Sequence, residues 1–336
     1  MKERKEMAGN KTNVAVLGTG GLGKVAARII GMKSSMKLAA VCDSKGYAYA
    51  ENGLDAETVA KLVGTEAVCN IPQYGHTSKD SLGEIIKLAD KIDAIFVALP
   101  NLPNDFIPNV VKRFVEGGYR GVWSDALKRT PAMEMMFGLD DLLKQAQGVY
   151  ITGAGATPGL LTAAAVIAAQ SFTKVEHVNI WWGVGIPNWE DYKATIREDI
   201  AHLPGYNVEK AKAMSDAEIE QLLNSRSGRL ELHQMEHADD LLLTRVGVVE
   251  RRDQVEVGGI IDTRSSKKPV STTMTLTGYT FEGKKSSHRF ILGDETSMGA
   301  NVVGPALGYL ARAVWLKEHK IYGVFGSTEF MPMVVV

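Results

Sequence analysis

The chain has 336 residues, 45% of them apolar and 23% charged, with a formal net charge of −1. That length suits two domains, and the near-zero charge gives no field to gather nucleic acid or an anionic membrane, so neither is expected as a partner. No apolar stretch is long enough to span a bilayer, residues 1–12 read as a flexible polar leader without a secretion signal, and Cys42 and Cys69 lack metal spacing, so a reduced cytoplasmic protein without a metal is expected.

The first element, Val14–Asp43, is the most informative. An apolar strand ends in G-x-G-x-x-G (Gly18, Gly20, Gly23), a helical segment follows, and a second apolar strand closes on an acid twenty residues after Gly23. Gly18 permits a tight turn, Gly20 lets a pyrophosphate approach the backbone, and Gly23 lets the helix pack on the strand. The loop Gly18, Thr19, Gly20, Gly21, Leu22 and Gly23 is therefore expected to bind a dinucleotide, with phosphates at the helix N-terminus. Asp43 is placed to accept from the adenosine ribose, which favours NAD(H), while Ser44 and Lys45 can bind a 2′-phosphate and keep NADP(H) open.

Beyond Asp43 the spacing predicts helices over Ala56–Val63 and Ser81–Lys91, a doubly buried strand Asp93–Leu99, a helix Phe106–Glu116, a strand Gly121–Ala126, a helix Leu139–Ala146 and a strand Val149–Thr152. This alternation is a Rossmann fold, a doubly wound parallel sheet that takes ligands at the C-terminal strand ends. Leu99, Pro100 and Asn101 stand at one such end, and Ser124–Arg129 at another.

Texture changes after Gly153. Thr157–Gln170 predicts a buried helix with proline in its first turn. Strands are expected over Lys174–Val184, Glu231–His237, Leu241–Glu250, Gln254–Ile261, Thr272–Phe281 and Ser287–Leu292, with a polar, partly helical stretch over Asp199–Asn224. The chain is thus α/β with a second α+β domain on an antiparallel sheet over 156–295. The dinucleotide domain covers 13–155 and is completed by 296–336, where the helix Val302–Lys317 packs back. The apolar tail Met331–Val336 is a candidate surface for a homo-oligomer.

Lys128, in SDALKRTP just past a strand end, is the leading catalytic candidate. A lysine amine attacks a carbonyl to form an imine only when neutral, and a reference pKa of about 10.4 leaves roughly one in a thousand neutral at pH 7.4. Burial or Arg129 would lower that pKa and Asp125 would raise it. Ser124, Asp125 and Arg129 join Lys128 as candidate catalytic neighbours. For a substrate carboxylate or the nicotinamide amide, the loop residues Gly153, Ala154 and Thr157 offer N–H groups at a helix start. Trp182 offers a pocket wall, and Arg197, like Arg264, a carboxylate fork. His233 and His237 are candidate acid–base groups.

Taken together, TG…PGLLT, WWGVG before a polar helix, and the closing YGVFGSTEFMP resemble meso-diaminopimelate dehydrogenase and, more loosely, saccharopine reductase. That resemblance spans most of the chain in order. It departs at SDALKRT, where the diaminopimelate enzymes carry a polar acidic segment without the lysine. Over the full length, GTGGLG and SDALKRTP together are similar to the BioU family, the lysine-donating 8-amino-7-oxononanoate carboxylating dehydrogenases of biotin synthesis. That resemblance implies a single-turnover enzyme whose substrates are 8-amino-7-oxononanoate and CO2 or bicarbonate. It implies that Lys128 condenses with the ketone, that NAD(P)H reduces the imine, that CO2 adds to an amine of the conjugate, and that NAD(P)+ takes a hydride from the lysine ε-carbon. Hydrolysis then releases 8-amino-7-(carboxyamino)nonanoate and leaves allysine. Two other readings compete: a multi-turnover amino-acid dehydrogenase of the diaminopimelate or saccharopine type, and a non-catalytic NAD-binding sensor or scaffold.

Overall fold

In the computed structural model, which describes residues 11–62, 66–101, 103–186 and 189–335, the apolar run Val14–Leu17 closes strand β1 (Thr12–Leu17) with all four side chains buried. Helix α1 (Gly21–Gly31) lays Ala26, Ala27 and Ile30 on the same core, and β2 (Met36–Asp43) pairs parallel to β1. The chain then departs from the expected alternation. β3 (Gly46–Tyr49) turns straight back antiparallel to β2, with Asp43 opposite Gly46. α2 (Ala56–Ala60) starts where expected, capped by Asp55, while Val63 lies outside the described residues. β4 (Gly75–Thr77) adds a second antiparallel strand at the edge.

From there the α/β rhythm resumes: α3 (Ser81–Ile86), β5 (Ala94–Val97), α4 (Phe106–Glu116), β6 (Val122–Asp125), α5 (Thr130–Phe137), α6 (Asp140–Gln145) and β7 (Val149–Thr152). All of β5, β6 and β7 is buried, as strands covered on both faces by helices must be. The described chain divides into two units, one running to Leu160 and taken up again at Gly299, the other Leu161–Met298.

Helix α7 (Leu160–Ala169) starts three residues later than Thr157, after a cis Thr157–Pro158 bond, so Pro158 precedes the helix and is not in its first turn. Its apolar surface is not wholly covered either, since Ile167 is 57% exposed.

The second unit is built on β8 (Phe172–Gly185), a long strand that alternates buried and open positions. Three helices follow, α8 (Lys193–Ile200), α9 (Val208–Ala213) and α10 (Asp216–Ser225), the last opened by a Ser215–Glu218 capping box. β9 (Arg229–Leu232) is shorter than the expected Glu231–His237 strand. The expected strand Leu241–Glu250 is instead helix α11 (Asp239–Arg245). Asp239 and Asp240 in its first turn favour a helix start, and burying the consecutive Leu242 and Leu243 satisfies the apolar run without a sheet. β10 (Val255–Asp262), β11 (Thr273–Thr280) and β12 (Lys285–Ile291) complete a sheet of order β12-β11-β8-β10-β9. The sheet is mixed, not purely antiparallel, because β10 runs parallel to β8.

α12 (Met298–Glu318) and β13 (Gly323–Gly326) belong to the first unit, where Val303, Ala306, Leu307 and Leu310 join the core of β1 and α1. The first sheet has the order β13-β7-β6-β5-β1-β2-β3-β4, parallel from β13 to β2. Its chain leaves β1 toward β2 and later resumes on the other side at β5, so the switch point lies between β1 and β5. The tail lies along its own unit: the Arg312 guanidinium donates to the Met331 carbonyl, the Met333 amide donates to Gly308, and Lys33 donates to the Val335 carbonyl; Val336 is outside the described residues.

Candidate active site

The loop after β1 presses against the end of β5 at the switch point. Gly18 holds φ at +97°, and a Cβ there would stand 2.5 Å from the Ala98 carbonyl oxygen. At Gly23 a Cβ would fall 1.9 Å from the Gly18 oxygen, whereas at Gly20 it would meet nothing within 4 Å. The outer two glycines thus serve the fold, and the middle one keeps the outer face of the loop clear. Gly20 caps α1 with no side-chain hydrogen bond, Gly20 and Gly21 are exposed, and Thr19 and Leu22 are half-buried. The first-turn N–H groups of α1 have no intrahelical acceptors. A dinucleotide pyrophosphate fits this cradle.

Asp43 stands at the end of β2 as expected, but its carboxylate is mostly engaged. Oδ1 accepts the amides of Lys45 and Gly46 at 2.8 and 3.1 Å, and Oδ2 accepts the Val68 amide at 2.8 Å. One lone pair of Oδ2 is left for a ribose hydroxyl. Ser44 and Lys45 form the exposed two-residue turn into β3. Beyond β5, Leu99 and Asn101 are half-buried and Pro100 exposed on the same rim.

Asp125 ends β6 completely buried. Its carboxylate accepts from the Gly153 amide at 2.7 Å, the Leu127 amide at 3.1 Å, the Tyr150 hydroxyl at 2.9 Å and the Thr152 hydroxyl at 3.0 Å. Four donors fill the lone pairs of one carboxylate. Burial pushes the Asp125 carboxyl above the usual carboxylate range, opposed by these hydrogen bonds. Burial, with Asp125 alongside, pushes the Tyr150 hydroxyl well above its ordinary value. Every acceptor site of Asp125 is thus taken by the fold. The carboxylate bends the chain into Ala126–Leu127 and docks it on the end of β7, and Lys128 follows half-buried between β6 and α5.

Two other expectations on this rim are corrected. Ser124, on the opposite face of β6, is buried and donates to the Ala306 carbonyl at 3.1 Å, so its hydroxyl ties the sheet to α12 and does not face Asp125. Gly153 and Ala154 do not offer free amides, since these are spent on the Asp125 carboxylate and carbonyl at 2.7 and 3.0 Å. Thr157 sits half-buried in the same loop. Arg129 donates from Nε to Asn104 Oδ1 at 2.8 Å, which joins the loop after β5 to the loop after β6. Asn104, Tyr150 and Thr152 were not singled out by the sequence. Tyr150 and Thr152 sit two apart on one strand face, the one pattern in the sequence that pointed to them.

In the second unit, Arg197 is not a substrate fork. Its guanidinium donates to the Ala211 carbonyl at 3.2 Å, to the Met214 carbonyl and to Asp216 at 2.7 Å, and so fastens α8 to α9 and α10. Trp182 lies half-buried on β8 over Gly259. His233 is exposed, 3.0 Å from Glu231 and tilted against Trp181. His237, by contrast, is buried with Nδ1 2.5 Å from Asp239. Among the described residues, no group of three or more His, Cys, Asp or Glu side chains is arranged to hold a metal ion, and no helix is long and apolar enough to cross a membrane.

The model of the glutamate/leucine/phenylalanine/valine dehydrogenase family matches residues 1–105. Over most of its length the fold is that of an engineered D-amino acid dehydrogenase bound to NADP+ (TM-score 0.58, 16% identity, 95% of this chain and 94% of that one). It is equally that of C. glutamicum DAP dehydrogenase in complex with DAP (TM-score 0.57, 16% identity, 96% and 94%). An amine dehydrogenase from Mycobacterium smegmatis shares it too (TM-score 0.54, 12% identity, 97% and 98%). The chain is also 43% identical to (S)-8-amino-7-oxononanoate synthase BioU of Haloferax mediterranei, covering 96% of this chain and 99% of that protein. At that identity, over both whole chains, the protein belongs to the BioU family.

Proposed function

We propose that this protein is a biotin-synthesis enzyme that converts 8-amino-7-oxononanoate and CO2 to 8-amino-7-(carboxyamino)nonanoate, with the side-chain nitrogen of Lys128 as the amino donor and a single turnover per chain. One observation carries the reading. Lys128 follows a strand end of the parallel sheet, on a segment that the fully engaged Asp125 carboxylate holds, two strands from β1 and its glycine loop, with β5 between them. A flexible surface lysine needs no such anchorage.

NAD(H) or NADP(H) is the cofactor, held by the loop from Gly18 to Gly23, with Asp43 at the ribose and Leu99, Pro100 and Asn101 along the rim. When bound, its nicotinamide supplies a hydride to an imine and takes one back from the lysine ε-carbon. Lys128, as the neutral amine, attacks the ketone carbon of the substrate and water leaves, which gives the imine. After reduction the nitrogen is a secondary amine bonded to both the protein and the substrate. CO2 adds to an amine of that conjugate. Once the ε-carbon has been oxidised, water adds to it, its bond to nitrogen breaks, and the nitrogen departs with the product while an aldehyde stays on the protein. The ε-carbon and the ketone carbon must each visit one hydride position, and the short tether at the end of β6 limits their travel. Arg129, held by Asn104, sets the far end of that tether. We place the enzyme in the reducing cytoplasm, with Cys42 and Cys69 as thiols.

The test is mass spectrometry of the whole protein after incubation with 8-amino-7-oxononanoate, bicarbonate and NAD(P)H. A conjugate at Lys128 that resolves to allysine supports the reading. Repeated turnover on an unmodified chain points to a conventional amino-acid dehydrogenase, and cofactor binding without reaction points to a sensor or scaffold.

A further inference from the structure

The first sheet ends in a hairpin that the chemistry above leaves without a task. β3 and β4 run antiparallel to each other beside β2, so β4 ends on the same rim as β2. A Cβ at Gly46 would stand 2.1 Å from the His76 oxygen, which shows how closely the two strands are pressed together. At the rim the Ser78 amide donates to the Lys45 carbonyl at 3.1 Å and fastens the end of β4 to the Ser44–Lys45 turn. Lys79 follows at once, exposed and with no ion-pair partner among the described residues. The acid beside it is already engaged: the Asp80 carboxylate accepts from both terminal nitrogens of Arg113, Nη1 at 2.9 Å, and from the Gly83 amide at 3.1 Å. Lys45 and Lys79 are therefore brought from two elements to the strand end that carries Asp43.

Asp43 is the group that would oppose them. An acid that selects NAD takes the ribose 2′-hydroxyl and repels a phosphate at that position. Here Oδ1 is filled by two amides and Oδ2 holds a third, so the carboxylate can accept one ribose hydroxyl and not the pair. Three amide dipoles aimed at it also offset its charge.

We propose that this enzyme selects NADP(H) over NAD(H), with Lys79 pairing to the 2′-phosphate of the adenosine ribose alongside Lys45; this rests on the placement of the dinucleotide at the glycine loop given above. A phosphate monoester carries about −1.5 to −2 charges at pH 7. Lysine meets it as a point charge on a long stem and needs no bidentate geometry, which suits two exposed positions on neighbouring turns. Asp43 then serves mainly to hold the Ser44–Lys45 turn and the Val68 segment in place.

The experiment titrates the full-length protein with NADPH and with NADH and follows nicotinamide fluorescence. Two exposed charge pairs predict NADPH binding at least about tenfold tighter at low salt. That ratio should shrink as salt rises, because pairs on an exposed rim are screened. Lys79→Ala should lose about fivefold in NADPH affinity with NADH affinity moving less than about twofold. Lys79→Glu should remove the preference and Lys79→Arg should keep it, a split that damage to the fold would not produce. Equal binding of the two coenzymes by the unsubstituted protein, tighter binding of NADH, or an unaltered ratio in Lys79→Glu overturns the assignment alone. Binding of neither dinucleotide, or undiminished binding of both by Gly20→Val, overturns the placement at the glycine loop and this assignment together.

Discussion

Asp125 and Gly153 are joined by a 2.7 Å hydrogen bond that ties the end of β6 to the end of β7. The Leu127 amide shares the same oxygen at 3.1 Å. Two backbone donors therefore converge on one buried atom, three residues before Lys128. Asp125→Ala strands both, at about 1–3 kcal/mol each, and should unfold at clearly lower denaturant with loss of conjugate formation. Asp125→Asn keeps one carbonyl oxygen for the two amides, and the Tyr150 and Thr152 hydroxyls turn to accept from its NH2. It should retain conjugate formation, since the account gives Asp125 no proton to move; an inactive but folded Asn variant would make Asp125 an acid–base group.

The same pair of proteins predicts a pH dependence. The Asp125 carboxyl is raised above its unfolded value by burial. A raised folded pKa means stability that is complete below the unfolded value of about 3.9 and is lost as pH rises through the folded one. Asp125→Asn carries no such loss. Its stability relative to the unsubstituted protein should therefore improve as pH rises from the usual carboxylate range, as read by denaturant midpoints. A constant difference across pH would contradict the assigned direction.

The glycine loop predicts a split between stability and binding. Gly18→Ala puts a Cβ at 2.5 Å from the Ala98 oxygen in a left-handed conformation, and should cost on the order of 1–3 kcal/mol of stability. A Cβ at Gly20 meets nothing within 4 Å in the protein, so Gly20→Val should cost less stability than Gly18→Ala, on the order of 1 kcal/mol for a poorer N-cap. It should nonetheless weaken NADH or NADPH binding at least tenfold in a fluorescence titration. Undiminished binding by a folded Gly20→Val protein would move the dinucleotide off this loop.

The two cysteines should differ in reactivity. Burial pushes the Cys42 thiol up to about 12, while Cys69 is half-exposed. At pH 8 only about one Cys42 in ten thousand is thiolate, and the thiolate is the nucleophile. Peptide mapping after brief iodoacetamide treatment should find Cys69 alkylated and Cys42 untouched.

Legibility followed the physics of each segment. β1, α1, β2, α4 and β7 were plain in the sequence because strict spacing, glycine punctuation and doubly buried strands leave few alternatives. β3 and β4 escaped notice: GYAY and GHT are short, and pairing at an edge leaves little trace in local pattern. Leu241–Glu250 misled because a short apolar run fits a strand or a buried helix equally, and the two aspartates before it were the signal that decided. Of the site, position at a strand end pointed to Lys128 and Asp125. Hydrogen bonding that spans 28 residues, as from Gly153 to Asp125, has no local signature. Ser124 was singled out by its place near a strand end and Arg197 by residue type, and the polar atoms of both are consumed by the fold.

The most direct test is the covalent state of Lys128 after one reaction. Unsubstituted protein given 8-amino-7-oxononanoate, bicarbonate and NAD(P)H should end with the Lys128 amine replaced by an aldehyde, in step with one product molecule per chain. Lys128→Arg, which keeps the charge but cannot form the imine, should yield neither. Product in excess of protein with Lys128 intact, or product from Lys128→Arg, would contradict the account.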